Sequence, residues 1–448
     1  MLRRTILSLL NIISLGILTA LFLSGPSALA QDGAVTAFVN VSVLPMDGQT
    51  SNGLNVLDNQ TVIISGDRIL SVSDAESTDI PDGAILIDGE GRFLMPGFGE
   101  MHGHIPPLSQ GEQQVNDTLF LYLSNGVTTV RGMLGSPGQL QLREDAKSGA
   151  RHSPTLYLAG PSFNGNSISS PEEAEKSVTS QVTEGWDLLK VHPGLTREEY
   201  DAMALRAKAL EIDFGGHVPE EVGLIHSLVA GQRTLDHLDG YMAYLDGFSK
   251  LISDEDFREI ARKTKNAGVG VVPTSALWKT LIGAGNLDDL NQYDELKYIR
   301  PEVVQSWRDR IGFLTEGDPQ IHEQNRLKLL KILQEEGVEI LFGTDAPQLF
   351  SVPGFSIHHE IDAMEAAGLK NIDILRSGTS AIGAYFKDVD QFGTIAPNMR
   401  ADLILLESNP LDDLDNLKSP AGVMVRGTWL SRPEIEAELA AIEARARP

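Results

Sequence analysis

The sequence contains no cysteine among its 448 residues. Disulfides, thiolate metal ligands and a cysteine nucleophile are therefore excluded, and any transition-metal site must use imidazole, carboxylate or a modified side chain. Positive charge is also scarce, because 36 Lys and Arg face 62 Asp and Glu for a formal net charge of −26. Nucleic acids and anionic membranes are bound through basic patches, so this balance argues against both as partners.

The N-terminus has the pattern of an export signal. Two arginines precede an apolar run over 6–23, and an Ala-Leu-Ala cleavage signal ends at Ala30. This order predicts a signal peptide at 1–30, cut before Gln31, and a periplasmic or secreted protein. The apolar run is somewhat long, so an uncleaved membrane anchor remains the alternative, and only then would a membrane be a partner.

The predicted secondary structure changes twice along the rest of the chain. Residues 31–97 and 392–448 are β-like, the second stretch ending in a helix, whereas 98–391 alternates strands with helices. The predicted strands of the middle part are 97–101, 127–131, 155–159, 188–191, 213–216, 233–236, 269–273 and 339–342. We therefore predict an α/β protein, a (β/α)8 TIM barrel with a small β-sandwich domain built from both termini.

One connection in the predicted barrel is too long for a loop. A polar, acidic and helix-favouring stretch spans about 275–333. It predicts a helical insertion that lies over the active-site face.

Chemistry-bearing side chains recur at the C-terminal ends of the predicted strands, where barrels of this type place their working residues. They are His102, His104, Lys190, His217, His237 and Asp345. His102 and His104 are two positions apart, so on a strand they share a face and could grip one metal ion. Each residue alone has a simpler reading as a packed histidine, an ion-paired lysine or a turn aspartate. Their joint placement favours a metal centre.

The motifs around these residues resemble the amidohydrolase superfamily, and its imidazolonepropionase-like and Xaa-Pro dipeptidase branch in particular. The matching motifs are PGFGEMHGH at 96–104, GVTTVR at 126–131, LKV at 189–191, GGHVP at 215–219, LDHL at 235–238, GTD at 343–345 and GTIAPNMRADLILL at 393–406. The resemblance covers nearly the whole mature chain and fails mainly in the insertion. It also departs at Gly132, where family members often carry an acid.

This resemblance implies two divalent metal ions, with zinc as the first choice and manganese, cobalt or iron as alternatives. His102, His104 and Asp345 would bind one ion, and His217 and His237 the other. The resemblance further implies that carbon dioxide carboxylates Lys190, giving a carbamate that bridges the pair. An unmodified lysine beside a single metal is the alternative.

The implied activity is hydrolysis of a carbon–nitrogen bond by a metal-bridged hydroxide, with Asp345 as general base and then general acid. The expected substrate is a small molecule or short peptide: a dipeptide such as Xaa-Pro, or an N-acyl amino acid. A cyclic-amide hydrolase, a deaminase and a lactonase remain alternatives on the same scaffold. A non-catalytic binding protein is disfavoured, because all six ligands are present. Superfamily members often assemble, so a homo-oligomer is a further expectation, although the sequence marks no interface.

Four further side chains are candidate substrate contacts: Tyr241, Arg131, His192 and His358. Tyr241 could bind the substrate carbonyl or carboxylate, or pack in the core. Arg131 could bind a substrate carboxylate, or pair with Glu100. His192 shares a strand face with Lys190, and His358 follows the loop after the predicted eighth strand.

Overall fold

A computed structural model of the chain describes residues 35–48 and 56–447, and all of them belong to one unit. The signal peptide predicted at 1–30 lies outside the described residues. Within the described ranges, no helix combines the length and the apolar character that crossing a membrane requires.

The described residues form fifteen strands and fifteen α-helices. The strands are β1 Val35–Val43, β2 Leu57–Ser65, β3 Arg68–Asp74, β4 Ile85–Asp88, β5 Phe93–Pro96, β6 Phe98–Gly103, β7 Val127–Gly132, β8 Thr155–Leu158, β9 Leu189–Val191, β10 Phe214–Gly216, β11 Thr234–Asp236, β12 Gly270–Val272, β13 Leu403–Leu406, β14 Gly422–Val425 and β15 Thr428–Ser431. The helices are α1 Glu112–Ser124, α2 Gln139–Lys147, α3 Pro171–Glu184, α4 Arg197–Ala209, α5 Leu224–Ala230, α6 Asp239–Leu245, α7 Asp254–Ala267, α8 Ser275–Leu281, α9 Leu287–Leu290, α10 Pro301–Arg308, α11 Pro319–Glu336, α12 Ser356–Ala366, α13 Asn371–Gly378, α14 Ser380–Tyr385 and α15 Arg432–Ala446.

The two β-rich ends of the chain meet in one sheet. Its order is β15-β14-β13-β5-β1-β2-β3, and β4 pairs with β1. The two ends join where β13 pairs antiparallel with β5, with Ile404 opposite Met95. Apolar side chains from both ends, including Phe38, Leu403 and Met424, form one buried cluster. That this unit is a sandwich stays a prediction.

Parallel strands alternating with helices make up the middle of the chain, which gives a TIM-barrel-like α/β fold. Their backbone hydrogen bonds order the strands β6-β7-β8 in one sheet and β12-β11-β10-β9 in another. Buried residues occupy most of these strand positions, because helices cover the outer face of a parallel sheet. The C-terminal ends of these strands carry most of the candidate ligands.

Backbone hydrogen bonds join the two parallel sheets on both sides. The amide of Phe163, beyond β8, donates to the carbonyl of Lys190 in β9 over 2.8 Å. On the other side, the segment 339–342 lies between β12 and β6: the Leu341 amide donates to Val271 over 2.9 Å, and the Met101 amide donates to Phe342 over 2.8 Å. This segment was predicted as the eighth strand, yet it forms only an isolated bridge, because its Phe342 amide turns to the Ser377 carbonyl.

The predicted insertion at about 275–333 is helical in the structure. It contains α8, α9, α10 and most of α11. However, α11 continues to Glu336 and buries Leu329, Leu330 and Leu333 in the core. Its C-terminal part is therefore a core helix. In the preceding α10, the Trp307 ring packs against the Phe350 ring with 5.9 Å between the centroids.

Candidate metal centre

His102 is held by a buried carboxylate that was not predicted from the sequence. Its Nδ1 lies 2.7 Å from Oδ2 of Asp236, the last residue of β11, and both side chains are buried. Arg131 donates to the same carboxylate oxygen over 3.3 Å. A carboxylate on Nδ1 fixes the imidazole orientation and leaves Nε2 as the available ligand atom. The Leu-Asp-His run at the end of β11 could have pointed to Asp236.

Asp345 meets the two histidines of β6. Its Oδ1 lies 2.6 Å from Nε2 of His104 and 3.7 Å from Nε2 of His102. One ligand atom from each of these three residues lies within 4.8 Å of the other two, a spacing that one metal ion could bridge. The backbone supports this arrangement, because the Asp345 amide donates to the His102 carbonyl over 2.7 Å.

Glu100 supports the backbone on both sides of this group. Its carboxyl accepts hydrogen bonds from the His102 amide over 2.9 Å and from the Thr344 amide over 2.8 Å, and the Thr344 hydroxyl also donates to it. Burial raises the pKa of Glu100 to about 8. Glu100 therefore links β6 to the segment that carries Asp345, and the predicted Glu100–Arg131 pair is wrong, because Arg131 pairs with Asp236 instead.

Lys190 is a buried neighbour of His102. Its Nζ is fully buried and 3.1 Å from Nε2 of His102. Burial lowers the pKa of Lys190 to about 8, so a fraction of the amine is neutral near neutral pH, which is the form that reacts with carbon dioxide. Gly216 leaves the room for this side chain, because a Cβ there would approach the Lys190 Cδ to 3.0 Å and the Val191 carbonyl to 2.4 Å.

His217 and His237 complete the group. Their ring centroids are 4.4 Å apart, and His237 is also 4.4 Å from His102. His217 Nδ1 lies 2.9 Å from Oδ2 of Asp239, and His237 Nδ1 lies 2.8 Å from Oγ1 of Thr274. Neither partner was predicted from the sequence. They orient the rings as Asp236 orients His102.

The backbone around His237 is unusual. His237 and Thr274 both have left-handed φ values, 76° and 46°, which non-glycine residues adopt at a cost of about 1–3 kcal/mol each. The fully buried guanidinium of Arg326 donates to the carbonyls of His237 and Pro273. Arg326 therefore holds together the two strand ends that present His237, a role that no local sequence signal indicated.

The residues present fit divalent metal ions. Nε2 of His237 is buried with no hydrogen-bond partner among the described residues, which is costly unless a ligand completes it. Burial keeps the pKa of His102 and of His237 well below the usual value, so both imidazoles are neutral, as metal ligands must be. Imidazole and carboxylate donors without thiolate suit zinc as well as manganese, cobalt or iron.

The structure brings one of the four substrate candidates to the centre. The His192 ring lies 5.1 Å from the His217 ring in a stacked orientation. Burial lowers the pKa of His192 far below its usual value, so this ring is neutral. His192 therefore remains a candidate substrate contact.

The other three candidates point elsewhere. Tyr241 is buried, and its hydroxyl pairs with the Thr264 hydroxyl of α7 at 3.0 Å, so it packs between helices. Arg131 donates hydrogen bonds to Asp236, the Met101 carbonyl and the Thr234 hydroxyl. Nε2 of His358 lies 3.2 Å from the Asn125 side chain. The predictions of substrate binding by Tyr241, Arg131 and His358 are therefore corrected to packing and support.

Comparisons with known proteins bear on the family and the fold. A family model described as the amidohydrolase family matches residues 93–430. No curated protein matches the chain. A candidate prolidase from Bifidobacterium longum is 23% identical with a TM-score of 0.69, covering 93% of this chain and 99% of that one.

Two further solved structures share the fold. A bottromycin amidohydrolase is 22% identical with a TM-score of 0.72, covering 92% of this chain and 91% of that one. A Xaa-Pro dipeptidase with methionine bound in its active site is 18% identical with a TM-score of 0.67, covering 89% of this chain and 100% of that one. At such identities, the likeness concerns the fold alone.

Proposed function

The chain belongs to the amidohydrolase family, and we propose that it is an exported, metal-dependent hydrolase of a C–N amide bond in a dipeptide such as Xaa-Pro or an N-acyl amino acid. The observation that carries this proposal is that Asp345 lies within 3.7 Å of His102, His104 and His237, with Lys190 3.1 Å from His102. The structural neighbours described as a prolidase, a Xaa-Pro dipeptidase and an amidohydrolase support this substrate class.

Each predicted ligand has a place in this proposal. His102, His104 and Asp345 would hold one divalent ion, His217 and His237 a second, and Lys190 would bridge them as a carbamate. Two such ions, when bound, lower the pKa of a water molecule and polarise a carbonyl oxygen. The neutralising charge of a carbamate matters here, because an ammonium 3.1 Å from Nε2 of His102 would repel a cation.

Asp345 is the proton carrier in this scheme. Its carboxylate spans the centre, with Oδ1 2.6 Å from His104 and Oδ2 3.7 Å from Nδ1 of His237. It accepts the proton of the attacking water as general base and returns it to the leaving nitrogen as general acid. The left-handed backbone of Asp345, with φ of 62°, aims this side chain back over the strand ends.

The finer fold prediction is part of the same proposal. We infer a closed (β/α)8 barrel, supported by the hydrogen bonds that join β8 to β9 and the segment 339–342 to both β12 and β6. A β-sandwich from both termini is supported by the pairing of β13 with β5.

Export is supported by the pattern at 1–30. Sequencing the N-terminus of the mature protein tests this proposal, because cleavage of the signal peptide predicts Gln31 as the first residue.

The activity is tested by amine release from a panel of dipeptides and N-acyl amino acids. The protein is residues 31–448, supplied with zinc or manganese and with bicarbonate. Release that a chelator abolishes and the metal restores is the expected result. An Asp345→Asn variant of the same protein should release no amine. Silence across the panel with metal bound would contradict hydrolysis of dipeptides and N-acyl amino acids and favour cyclic amides, lactones or deamination.

A further inference from the structure

A large cavity borders one residue of the candidate metal centre. It has a volume of about 970 Å³, and its lining includes His104 together with Pro347, two residues after Asp345. Cavities that bind drug-sized ligands measure about 300–1,000 Å³. A dipeptide would fill only part of this space, so its size points to a larger substrate.

The walls of this cavity are mainly apolar and come from distant parts of the chain. They include Ile105 and Pro107 after β6, Leu134 after β7, Val303 and Trp307 of α10, and Ile442 of α15. Leu134 keeps 44% of its surface exposed. A large apolar side chain open to a concave apolar wall gains free energy when an apolar ligand covers it. We call this cavity the apolar groove.

The charges of the apolar groove are already compensated. Among the described residues that line it, Asp117 pairs with Arg445 at 2.7 Å, and Arg445 also contacts Glu438 at 2.6 Å. Arg300 is half-exposed and lies 3.6 Å from Glu302. Both arginines of these walls already have carboxylate partners, so a substrate carboxylate would have to compete with Asp117, Glu438 or Glu302. Its burial against the apolar surface is also costly.

This distribution distinguishes the two sides of the scissile amide. The leaving amino acid carries a carboxylate, and the acyl residue of a dipeptide carries an ammonium, whereas the acyl group of an N-acyl amino acid is uncharged. Only the acyl group matches the walls formed by Ile105, Leu134 and Trp307. Because α10 belongs to the insertion, that segment helps to shape the groove.

We propose that the apolar groove binds the acyl group of the substrate, and that the substrates are N-acyl amino acids with a long or bulky apolar acyl chain. This inference rests on the proposed amide hydrolysis. It makes a dipeptide with a small N-terminal residue a poor substrate.

The test is a series of N-acyl derivatives of one amino acid, from acetyl to decanoyl, given to the metal-loaded protein of residues 31–448. We expect kcat/KM to rise by about tenfold or more along the series, because each added methylene buries apolar surface. Equal kcat/KM for acetyl and decanoyl substrates would overturn the inference.

A bulky substitution in the groove provides the matched comparison. Leu134→Trp should lower the decanoyl-to-acetyl ratio of kcat/KM by about tenfold, and Val303→Trp should act in the same direction. Leu205→Trp makes the same change on α4, at a side chain that is 69% exposed and outside the groove, and should leave the ratio unchanged. A ratio that Leu134→Trp and Val303→Trp both leave at the wild-type value would contradict the proposal.

Binding of decanoate tests acyl binding in the apolar groove separately from the proposed amide hydrolysis. Calorimetry should detect decanoate binding to the wild-type protein, and Leu134→Trp should weaken it. That result supports the groove even if no substrate releases amine, in which case only the proposed function fails. No decanoate binding to the wild-type protein would overturn the groove.

Discussion

Asp236→Asn tests how the protein holds its first candidate ligand. The substitution keeps the size of the side chain but removes a negative charge that lies 2.7 Å from His102 Nδ1 and 3.3 Å from Arg131. Partners of this kind are worth about 10–100-fold in metal affinity. Zinc titration of the metal-free protein should therefore show an affinity lowered by about that factor.

The same change should also reduce stability. Arg131 is fully buried, and a buried charge that loses its counter-ion costs about 3–5 kcal/mol. Arg131 keeps its bonds to the Met101 carbonyl and the Thr234 hydroxyl, so we expect a loss near the lower limit, about 3 kcal/mol. Urea unfolding of the metal-free protein in the presence of a chelator measures it.

A second Asp–His pair gives the control. Asp201 contacts His226 on the surface, away from the centre, and is 42% exposed. Asp201→Asn should cost less than about 1 kcal/mol and leave zinc affinity unchanged. Wild-type zinc affinity in Asp236→Asn would refute the role given to this carboxylate, whatever its effect on stability.

Two further changes test the buried side chains of Glu360, which accepts a hydrogen bond from the Ala276 amide, and of Arg326. Burial raises the pKa of Glu360 from 4.5 to about 7, so the folded protein holds a proton that the unfolded chain releases, and this group lowers stability as pH rises through that window. The free energy of unfolding of Glu360→Gln should therefore rise relative to wild type between pH 4.5 and pH 7, by on the order of 3 kcal/mol in total. Chemical unfolding at several pH values measures this difference, and a difference that does not change with pH would contradict the prediction. Arg326→Met removes the donors to the His237 and Pro273 carbonyls, so the free energy of unfolding in chelator should fall by about 3 kcal/mol. Arg326→Lys should recover part of this loss. Equal stability of Arg326→Met and wild type would exclude the role of Arg326 in holding the two strand ends together.

The candidate ligands could be predicted from sequence because each sits at the end of a short β segment inside a recognisable motif. His102 and His104 follow from the period of a strand, and parallel strands bring their C-terminal ends together. The residues that orient the ligands were harder to predict. Asp236, Thr274 and Arg326 act across strands and helices, and no local pattern marks a contact between residues that are distant in sequence.

The errors have a similar origin. Tyr241 follows His237 by four residues, but the left-handed backbone at His237 and Leu238 starts α6 in a direction that turns this side chain toward α7. Arg131 pairs with Asp236 rather than Glu100 because Glu100 is occupied by backbone amides of His102 and Thr344. The apolar groove was also missed, since α10 and α15 form its walls together from segments far apart in sequence.

The most direct test of the account is the metal content of wild-type protein and of Lys190→Ala, both as residues 31–448 loaded with zinc and bicarbonate. Elemental analysis after removal of free metal should find about two ions per wild-type chain and about one fewer in Lys190→Ala, with most amine release lost. Full metal occupancy in Lys190→Ala, or a wild-type protein that binds no metal at His102, His104 and Asp345, would contradict the two-metal centre.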